Sequence, residues 1–200
     1  FDYFSDEKFK VSIKPQYIDI KDNFKVLHLI NKIRASPFNQ SYKRRLLENL
    51  DLENIKDRTI SELSGGELQR VAIAQCLSKK ADLYLLDEPS AFLDVERRLK
   101  VAQLIRKSIE EIKKAAFVVE HDIITQDFIA DSLMVFKGIP GIEGSALAPQ
   151  NLRDGFNTFL EIMRITFRRD SVTKRPRVNK LGSNKDDYQK SINEYYYIPE

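Results

Sequence analysis

The chain has 200 residues, of which 42% are hydrophobic, enough to bury one domain with or without an extension. Its 33 Lys and Arg nearly balance 30 Asp and Glu, so the formal charge of +3 does not indicate a nucleic-acid binder. The single cysteine, Cys76, excludes a disulfide framework, a zinc cage or an iron–sulfur cluster, and we expect a small core residue. Without a long apolar run or a secretory signal, the chain is expected to be soluble and intracellular.

The first elements in chain order are a strand, two helices and a polar connector. The strand covers residues 9–13 and ends before Pro15, which cannot donate a ladder hydrogen bond. Helices are predicted over 24–33 and 42–50, and the connector occupies 57–63. This part of the chain therefore predicts a mainly helical segment after one strand.

The next elements alternate between helix and strand. In chain order we predict a helix over 65–79, a strand over 82–87, a helix over 95–113, a strand over 115–119, a helix over 123–130 and a strand over 133–136. Strands joined by helices of this length favour an α/β fold with a mostly parallel sheet and flanking helices.

The character of the chain changes after Gly138. Glycines and a proline predict a loop over 138–144, and a helix follows over 150–163. Residues 168–180 then carry a basic cluster, and the aromatic segment 195–198 is β-prone. We place a first domain at 1–148, with a helical subdomain at about 22–80, and a helix with a basic extension at 149–200.

Two adjacent carboxylates, Asp87 and Glu88, end the predicted buried strand 82–87. A carboxylate at that edge of an α/β sheet can reach Mg²⁺, and its neighbour can orient the water that attacks a nucleotide phosphate. The alternative is an ordinary Asp-Glu-Pro turn. The apolar strand before the pair and the glycine turn upstream favour the functional interpretation.

The glycine turn consists of Ser64, Gly65 and Gly66, followed by Glu67, at the start of a predicted helix. Backbone N–H groups and the helix dipole at such a position can bind a phosphate. Ser64 and Glu67 also have the spacing of a capping box. Both interpretations can hold, since a capped helix N-terminus is itself a site for anions.

Three further polar residues lie near these motifs in the sequence, and two of them are candidates for nucleotide hydrolysis. His121 follows the next strand and could contact a γ-phosphate, although a lone histidine is more often structural. Gln16, after the first strand, could complete the shell around Mg²⁺ and water. Asp94 precedes the longest helix and is expected to be its N-cap.

Five short stretches of the sequence resemble, in chain order, the Q-loop, signature, Walker B strand, D-loop and switch histidine of ATP-binding cassettes. The stretches are 14–16 (KPQ), 63–70 (LSGGELQR), 85–89 (LLDEP), 90–94 (SAFLD) and 120–122 (EHD). With the tail segments ITFRRD and RPRVNK, they resemble the second cassette of the E subfamily, the ribosome-recycling ATPases also called RNase L inhibitors. The resemblance covers about residues 11–197.

The resemblance implies a cytoplasmic twin-cassette ATPase, with a nuclear pool as an alternative, that binds ATP and Mg²⁺ and splits ribosomal subunits. Asp87 and Gln16 would serve the metal, Glu88 the water and His121 the γ-phosphate. Residues 64–67 would touch ATP held by the other cassette, with Asp94 in the D-loop beside them. Implied partners are the first cassette, the small ribosomal subunit with its RNA, and a release or rescue factor, but no membrane. The basic tail would form a hinge.

One departure from the family stands out, because no glycine precedes Gly65 and the sequence therefore contains no P-loop. We expect an N-terminally truncated cassette that by itself neither binds ATP tightly nor hydrolyses it. The alternative is a non-catalytic module that binds a partner cassette or ribosomal RNA. A transporter or chromosome-structure cassette fits less well, since the sequence shows no membrane span and no long coiled coil.

Overall fold

The structure, a computed structural model, describes residues 9–16, 23–139, 141–169 and 176–197. The chain divides into two compact units, Phe1–Ile129 and Ala130–Glu200. This division falls earlier than the predicted boundary at 148/149, because residues 132–133 pair with residues 150–151 and so join the second unit. The assignment of 1–148 and 149–200 as functional domains stays a prediction. No described helix is long and apolar enough to cross a membrane.

The described part of the first unit has a parallel sheet of three strands and five α-helices. In chain order they are β1 (Val11–Lys14), α1 (Val26–Ala35), α2 (Gln40–Asn49), α3 (Gly65–Leu77), β2 (Leu83–Asp87), α4 (Val95–Ile112), β3 (Ala115–Val119) and α5 (Ile123–Ile129). The strand order is β1-β2-β3, with both neighbouring pairs parallel. The predicted α/β fold with a parallel sheet and flanking helices is confirmed. Within the predicted connector 57–63, residues Ile60–Glu62 form a short 3-10 turn.

Local signals explain where these helices begin and end. The Asn39 side chain accepts a hydrogen bond from the Tyr42 N–H, which caps α2 at its start. Asp94 caps α4 in the same way, by accepting from the Arg97 N–H. Lys113, with φ of 53°, then takes a left-handed conformation that ends α4.

The core of the first unit lies between the helices and one face of the sheet. Leu46, Ile73, Leu77 and Ile105 are among its members that are at most 1% exposed. Cys76 is also fully buried there, as predicted, and burial raises the pKa of its thiol.

The opposite face of the sheet is open and apolar. Val11 and Ile13 on β1 are 42% and 55% exposed, and Phe117 and Val119 on β3 are each 54% exposed. The register joins these positions into one surface, because Ile13 lies beside Leu85 and Leu85 beside Phe117. Strands of a parallel sheet are usually covered on both faces, so this surface is unusual.

In its described residues, the second unit combines two helices with small sheets in which all strand pairings but one are antiparallel. Its described elements are β4 (Ser132–Leu133), β5 (Phe136–Ile139), β6 (Glu143–Ala146), β7 (Gln150–Asn151), α6 (Leu152–Met163), β8 (Phe167–Arg169), β9 (Pro176–Val178), α7 (Asn184–Ser191) and β10 (Tyr196–Tyr197). β5 and β6 form a hairpin, β4 pairs with β7, and β8 lies between β9 and β10. Phe156 and Phe167 stack on Tyr196 and form its aromatic centre.

Several predictions for this second unit were wrong. The single strand over 133–136 is divided between β4 and β5, which pair with different partners. The predicted loop 138–144 contains the turn of the β5–β6 hairpin, where Gly138 faces Gly144 too closely for a side chain. The basic segment, for which no secondary structure was predicted, contributes to β8 and β9, which pair in antiparallel fashion. Helix α7 was not predicted.

Candidate functional site

The predicted catalytic residues follow the carboxyl ends of three adjacent strands. Asp87 is the last residue of β2, and Glu88 comes directly after it. Gln16 follows β1, and His121 follows β3. Because the three strands are parallel, these residues meet at one edge of the sheet, where open α/β sheets bind ligands.

One carboxylate oxygen of Glu88 connects the two neighbours Gln16 and His121. The Gln16 Nε2 donates to Glu88 Oε1 at 2.9 Å, and His121 Nε2 lies 2.9 Å from the same oxygen. The Glu88 side chain is 23% exposed and that of His121 is 78% exposed, so the group is open to a ligand from the imidazole side. His121 can donate to this oxygen in the tautomer that carries its proton on Nε2.

The backbone at Glu88 is unusual. Its φ is 45°, a left-handed conformation that costs a non-glycine residue about 1–3 kcal/mol. The Glu88 N–H donates to the Val119 carbonyl at 2.9 Å, and the Glu88 carbonyl accepts from the Ala91 N–H at 3.2 Å. These bonds fix the direction in which the carboxylate leaves the strand.

The Lys14 side chain contacts the backbone of Asp87 and Glu88. The sequence reasoning did not identify it as a site residue. Its ammonium donates to the Asp87 carbonyl at 2.6 Å and to the Glu88 carbonyl at 3.2 Å. The residue is 1% exposed, and burial lowers its pKa, although the nearby Asp87, Glu120 and Glu88 carboxylates oppose that effect. The sequence contains no signal for this position, because Lys14 alternates in phase with the polar Ser12, on the side expected to face solvent, and not with the apolar Val11 and Ile13.

Glu120 is a second residue that the sequence reasoning did not single out. Its carboxylate accepts from the backbone N–H of Ser90 at 2.8 Å and from the Ser90 hydroxyl at 2.9 Å. Burial raises the pKa of Glu120, while the bonds from Ser90 act in the opposite direction. Glu120 therefore ties the end of β3 to the segment that follows the paired carboxylates.

The glycine turn begins α3 as a capping box. The Ser64 N–H and hydroxyl both donate to the Glu67 carboxylate, at 2.9 and 2.8 Å, and the Glu67 N–H donates back to the Ser64 hydroxyl. The bond from the Ser64 N–H is the main reason that the pKa of Glu67 lies below its ordinary value. Arg58 pairs with the same carboxylate at 3.0 Å. The capping-box interpretation is confirmed, and phosphate binding at this turn stays a prediction.

A close neighbour, and not a positive φ, explains the glycine at position 66, and the same neighbour packs tightly against Gly65. A Cβ at Gly66 would lie 2.9 Å from the Phe92 carbonyl oxygen, and one at Gly65 would lie 3.3 Å from the Phe92 ring. Phe92 itself has φ of 62° and is 76% exposed. The loop between β2 and α4 thus packs against the glycine turn. Asp94, at the end of this loop, is the N-cap of α4 as predicted.

The residues at the sheet edge fit Mg²⁺ in part. No three described His, Cys, Asp or Glu side chains form a cage for a metal. Mg²⁺ is usually held by one or two protein oxygens together with phosphates and water. The Asp87 carboxylate and the Gln16 amide oxygen are donors of that kind. The amide nitrogen of Gln16 donates its hydrogen bond to Glu88, which leaves the amide oxygen for the metal.

Comparisons with known proteins give one consistent result. The family model described as ABC transporter matches residues 6–91. An uncharacterized ABC transporter ATP-binding protein of Methanocaldococcus jannaschii is 53% identical over 191 residues, which are 96% of this chain and 32% of that protein. The chain spans about a third of the length of this relative and of ABC transporter E family member 1 of Arabidopsis thaliana.

Two solved structures are similar over almost the whole chain. The complex of an archaeal ribosomal stalk protein with the ribosome recycling factor aABCE1 has a TM-score of 0.88 at 53% identity, covering 94% of this chain and 37% of the other. A model of ribosome-bound archaeal Pelota and ABCE1 has a TM-score of 0.89 at 50% identity, covering 96% and 32%. The chain therefore belongs to the ATP-binding cassette proteins, and within them to the E subfamily that includes the RNase L inhibitor.

Proposed function

We propose that this chain is part of the second cassette in a twin-cassette ATPase that splits ribosomal subunits. It would supply the hydrolytic edge, by which we mean Gln16, Asp87, Glu88 and His121 at the carboxyl ends of the three strands. The observation that carries the proposal is the meeting of Gln16, Glu88 and His121 at one carboxylate oxygen, beside Asp87. This is the set of groups that hydrolysis of a nucleotide phosphate requires: a metal ligand, a group that orients water and a polar contact for the γ-phosphate.

Each residue has a separate role in the proposed reaction. Asp87 and the Gln16 amide oxygen would hold Mg²⁺, which neutralises charge on the phosphates when it is bound. The Glu88 carboxylate orients a water molecule and accepts its proton, while Gln16 restrains the carboxylate from one side. His121, exposed on the other side, is free to turn from Glu88 toward a γ-phosphate oxygen.

The glycine turn has a different role in this proposal. Ser64, Gly65, Gly66 and Glu67 open a helix N-terminus, which favours an anion, and we assign them to the ATP held by a second cassette. Phe92, which packs on Gly65, and the cap Asp94 belong to one loop that starts at the paired carboxylates. The turn and the hydrolytic edge are thereby linked within this chain.

A longer cassette is part of the proposal. The printed sequence has no P-loop, whose amides and lysine cradle the phosphates in this class of ATPase. The open apolar face formed by Val11, Ile13, Phe117 and Val119 is the surface against which we expect an upstream P-loop segment to pack. We also propose that the chain by itself neither binds ATP tightly nor hydrolyses it.

The ribosomal partners are proposed from the relatives. One solved relative is described as a ribosome recycling factor in complex with a stalk protein, and another is ribosome-bound with Pelota. We accordingly propose a cytoplasmic protein that contacts the small subunit and a release or rescue factor. The second unit exposes basic residues such as Arg177 and Lys180, for which we propose a hinge role between cassettes, with ribosomal RNA as a further contact.

The experiment compares ATP binding and steady-state hydrolysis by this chain alone with those of the chain joined to its natural upstream segment. We expect tight binding and turnover only in the extended protein. Submicromolar ATP binding by the 200 residues alone would contradict the proposed dependence on an upstream P-loop. Absence of turnover in the extended protein would instead favour a non-catalytic module, and ribosome association would then be its test.

A further inference from the structure

The buried face of β1 carries two polar residues, Ser12 and Lys14, each 1% exposed. Ser12 satisfies its hydroxyl by donating to the Cys76 carbonyl at 2.8 Å. Lys14 is different, since a lysine is almost never fully buried without a partner and its charged ammonium loses the stabilisation that water provides. The burial of Lys14 is therefore explained by the groups to which its ammonium binds.

Lys14 holds the turn that carries the paired carboxylates. Its ammonium lies 2.6 Å from the Asp87 carbonyl oxygen and 3.2 Å from the Glu88 carbonyl oxygen, so a single donor group spans two successive peptide units. Bonds from a charged donor are about twice as strong as neutral ones. Asp87, Glu88 and Glu120 also surround the ammonium with negative charge, which offsets part of the cost of its burial.

The turn that Lys14 holds is strained at Glu88, the residue whose carboxylate must point toward Gln16 and His121. Glu88 has φ of 45°, a conformation that persists only when its surroundings enforce it. The Val119 carbonyl fixes the Glu88 N–H from one side, and Lys14 fixes its carbonyl from the other. The backbone N–H and carbonyl of Glu88 are both held in this way, and its carboxylate lies between Gln16 and His121.

We propose that Lys14 is a positioning residue for hydrolysis, whose ammonium clamps the Asp87 and Glu88 carbonyls and so keeps the Glu88 carboxylate aligned. The inference rests on the proposed ATPase function and adds a residue to it. Lys14 lies two residues before Gln16, so the same strand supplies both the clamp and a neighbour of the carboxylate. Lys14 contacts peptide carbonyls and has no contact with the nucleotide in this proposal.

This role predicts a particular pattern in the kinetics. Removal of a positioning group displaces the carboxylate without removing a nucleotide contact, and displacements of about 1 Å can lower a rate by about 100-fold. We expect Lys14→Met to lower kcat for ATP about 10- to 100-fold and to change KM less than threefold. Methionine is one atom shorter than lysine, but it keeps most of the apolar packing of the side chain while it removes the donor.

The experiment measures kcat and KM in the extended, ATPase-competent protein, for wild type, Lys14→Met and Ser12→Ala. Ser12→Ala is the matched control, because Ser12 lies on the same strand and the same buried face but bonds to the Cys76 carbonyl. We expect Ser12→Ala to leave kcat within threefold of wild type. Lys14→Gln, which is too short to reach both carbonyls, is a second variant with the same expected loss if Lys14→Met does not fold.

The outcomes separate this inference from the proposed function. If the wild-type protein hydrolyses ATP and a folded Lys14 variant keeps the wild-type kcat, the positioning role is refuted and the ATPase function stands. An equal fall of kcat in Ser12→Ala would also refute it, since general loosening of β1 would then explain the result. If the wild-type extended protein does not hydrolyse ATP, the proposed function fails and the inference falls with it.

Discussion

The buried carboxylate of Asp186 predicts a measurable pH dependence of stability in the second unit. Its side chain is 1% exposed, and it accepts from the Lys190 ammonium at 2.8 Å, from the Gly182 N–H at 2.9 Å and from the Thr166 hydroxyl. The bonds from Lys190 and Thr166 are the main causes that lower the pKa of Asp186 from 3.8 to about 2.

The size of the effect follows from that pKa. At about 1.4 kcal/mol for each tenfold change in the ionisation constant, the fall from 3.8 to about 2 corresponds to ~2.5 kcal/mol at neutral pH. Because the unit is small, we discount this value for solvent screening and expect about 1–2 kcal/mol. Because the folded pKa is depressed, this stabilisation is complete above pH 3.8 and is lost as the pH falls toward 2.

The assay is urea unfolding at several pH values between 7 and 2, followed by the near-ultraviolet circular dichroism of the stacked Phe156 and Tyr196. We expect Asp186→Asn to lower the free energy of unfolding at pH 7 and to flatten its dependence on pH between 4 and 2. Asp187→Asn, an exposed neighbour in the first turn of α7, is the control for the helix dipole. Equal pH dependence in wild type and Asp186→Asn would refute the reasoning.

Two further predictions concern the first unit. Gly66→Ala is expected to lower the free energy of unfolding by about 1 kcal/mol or more, because its Cβ would meet the Phe92 carbonyl, whereas alanine normally favours a helix. Gly65→Ala, which meets only the movable Phe92 ring, is expected to cost less, and an equal or reversed order in urea unfolding would contradict this account. Cys76, whose pKa is raised by burial, is expected to react with iodoacetamide at pH 7.5 only after unfolding, so modification of the native protein, detected by mass spectrometry, would be evidence against the buried thiol.

The sequence was sufficient for the first unit because its signals are local and repeated. The spacing of apolar residues, the cap Asp94 and the continuous apolar strand before Asp87 each determine an element without help from distant contacts. The meeting of Gln16, Glu88 and His121 was also accessible, since parallel strands bring their carboxyl ends to one edge.

The residues that were missed depend on contacts between distant parts of the chain. Lys14 and Glu120 are recognised by the carbonyls and the serine they contact, and neither is marked by a motif. The need for glycine at position 66 comes from Phe92, which is remote in sequence. In the second unit the strands are only two to four residues long, too short for a periodic pattern.

The central claim is that Glu88 performs the hydrolytic step. The most direct measurement is single-turnover cleavage of prebound ATP by the extended protein, comparing wild type, Glu88→Gln and the exposed control Glu96→Gln. We predict that Glu88→Gln retains ATP binding and cleaves at least about 100-fold more slowly, as expected for loss of a general base. We predict that Glu96→Gln behaves as wild type. Cleavage by Glu88→Gln at the wild-type rate would contradict the account.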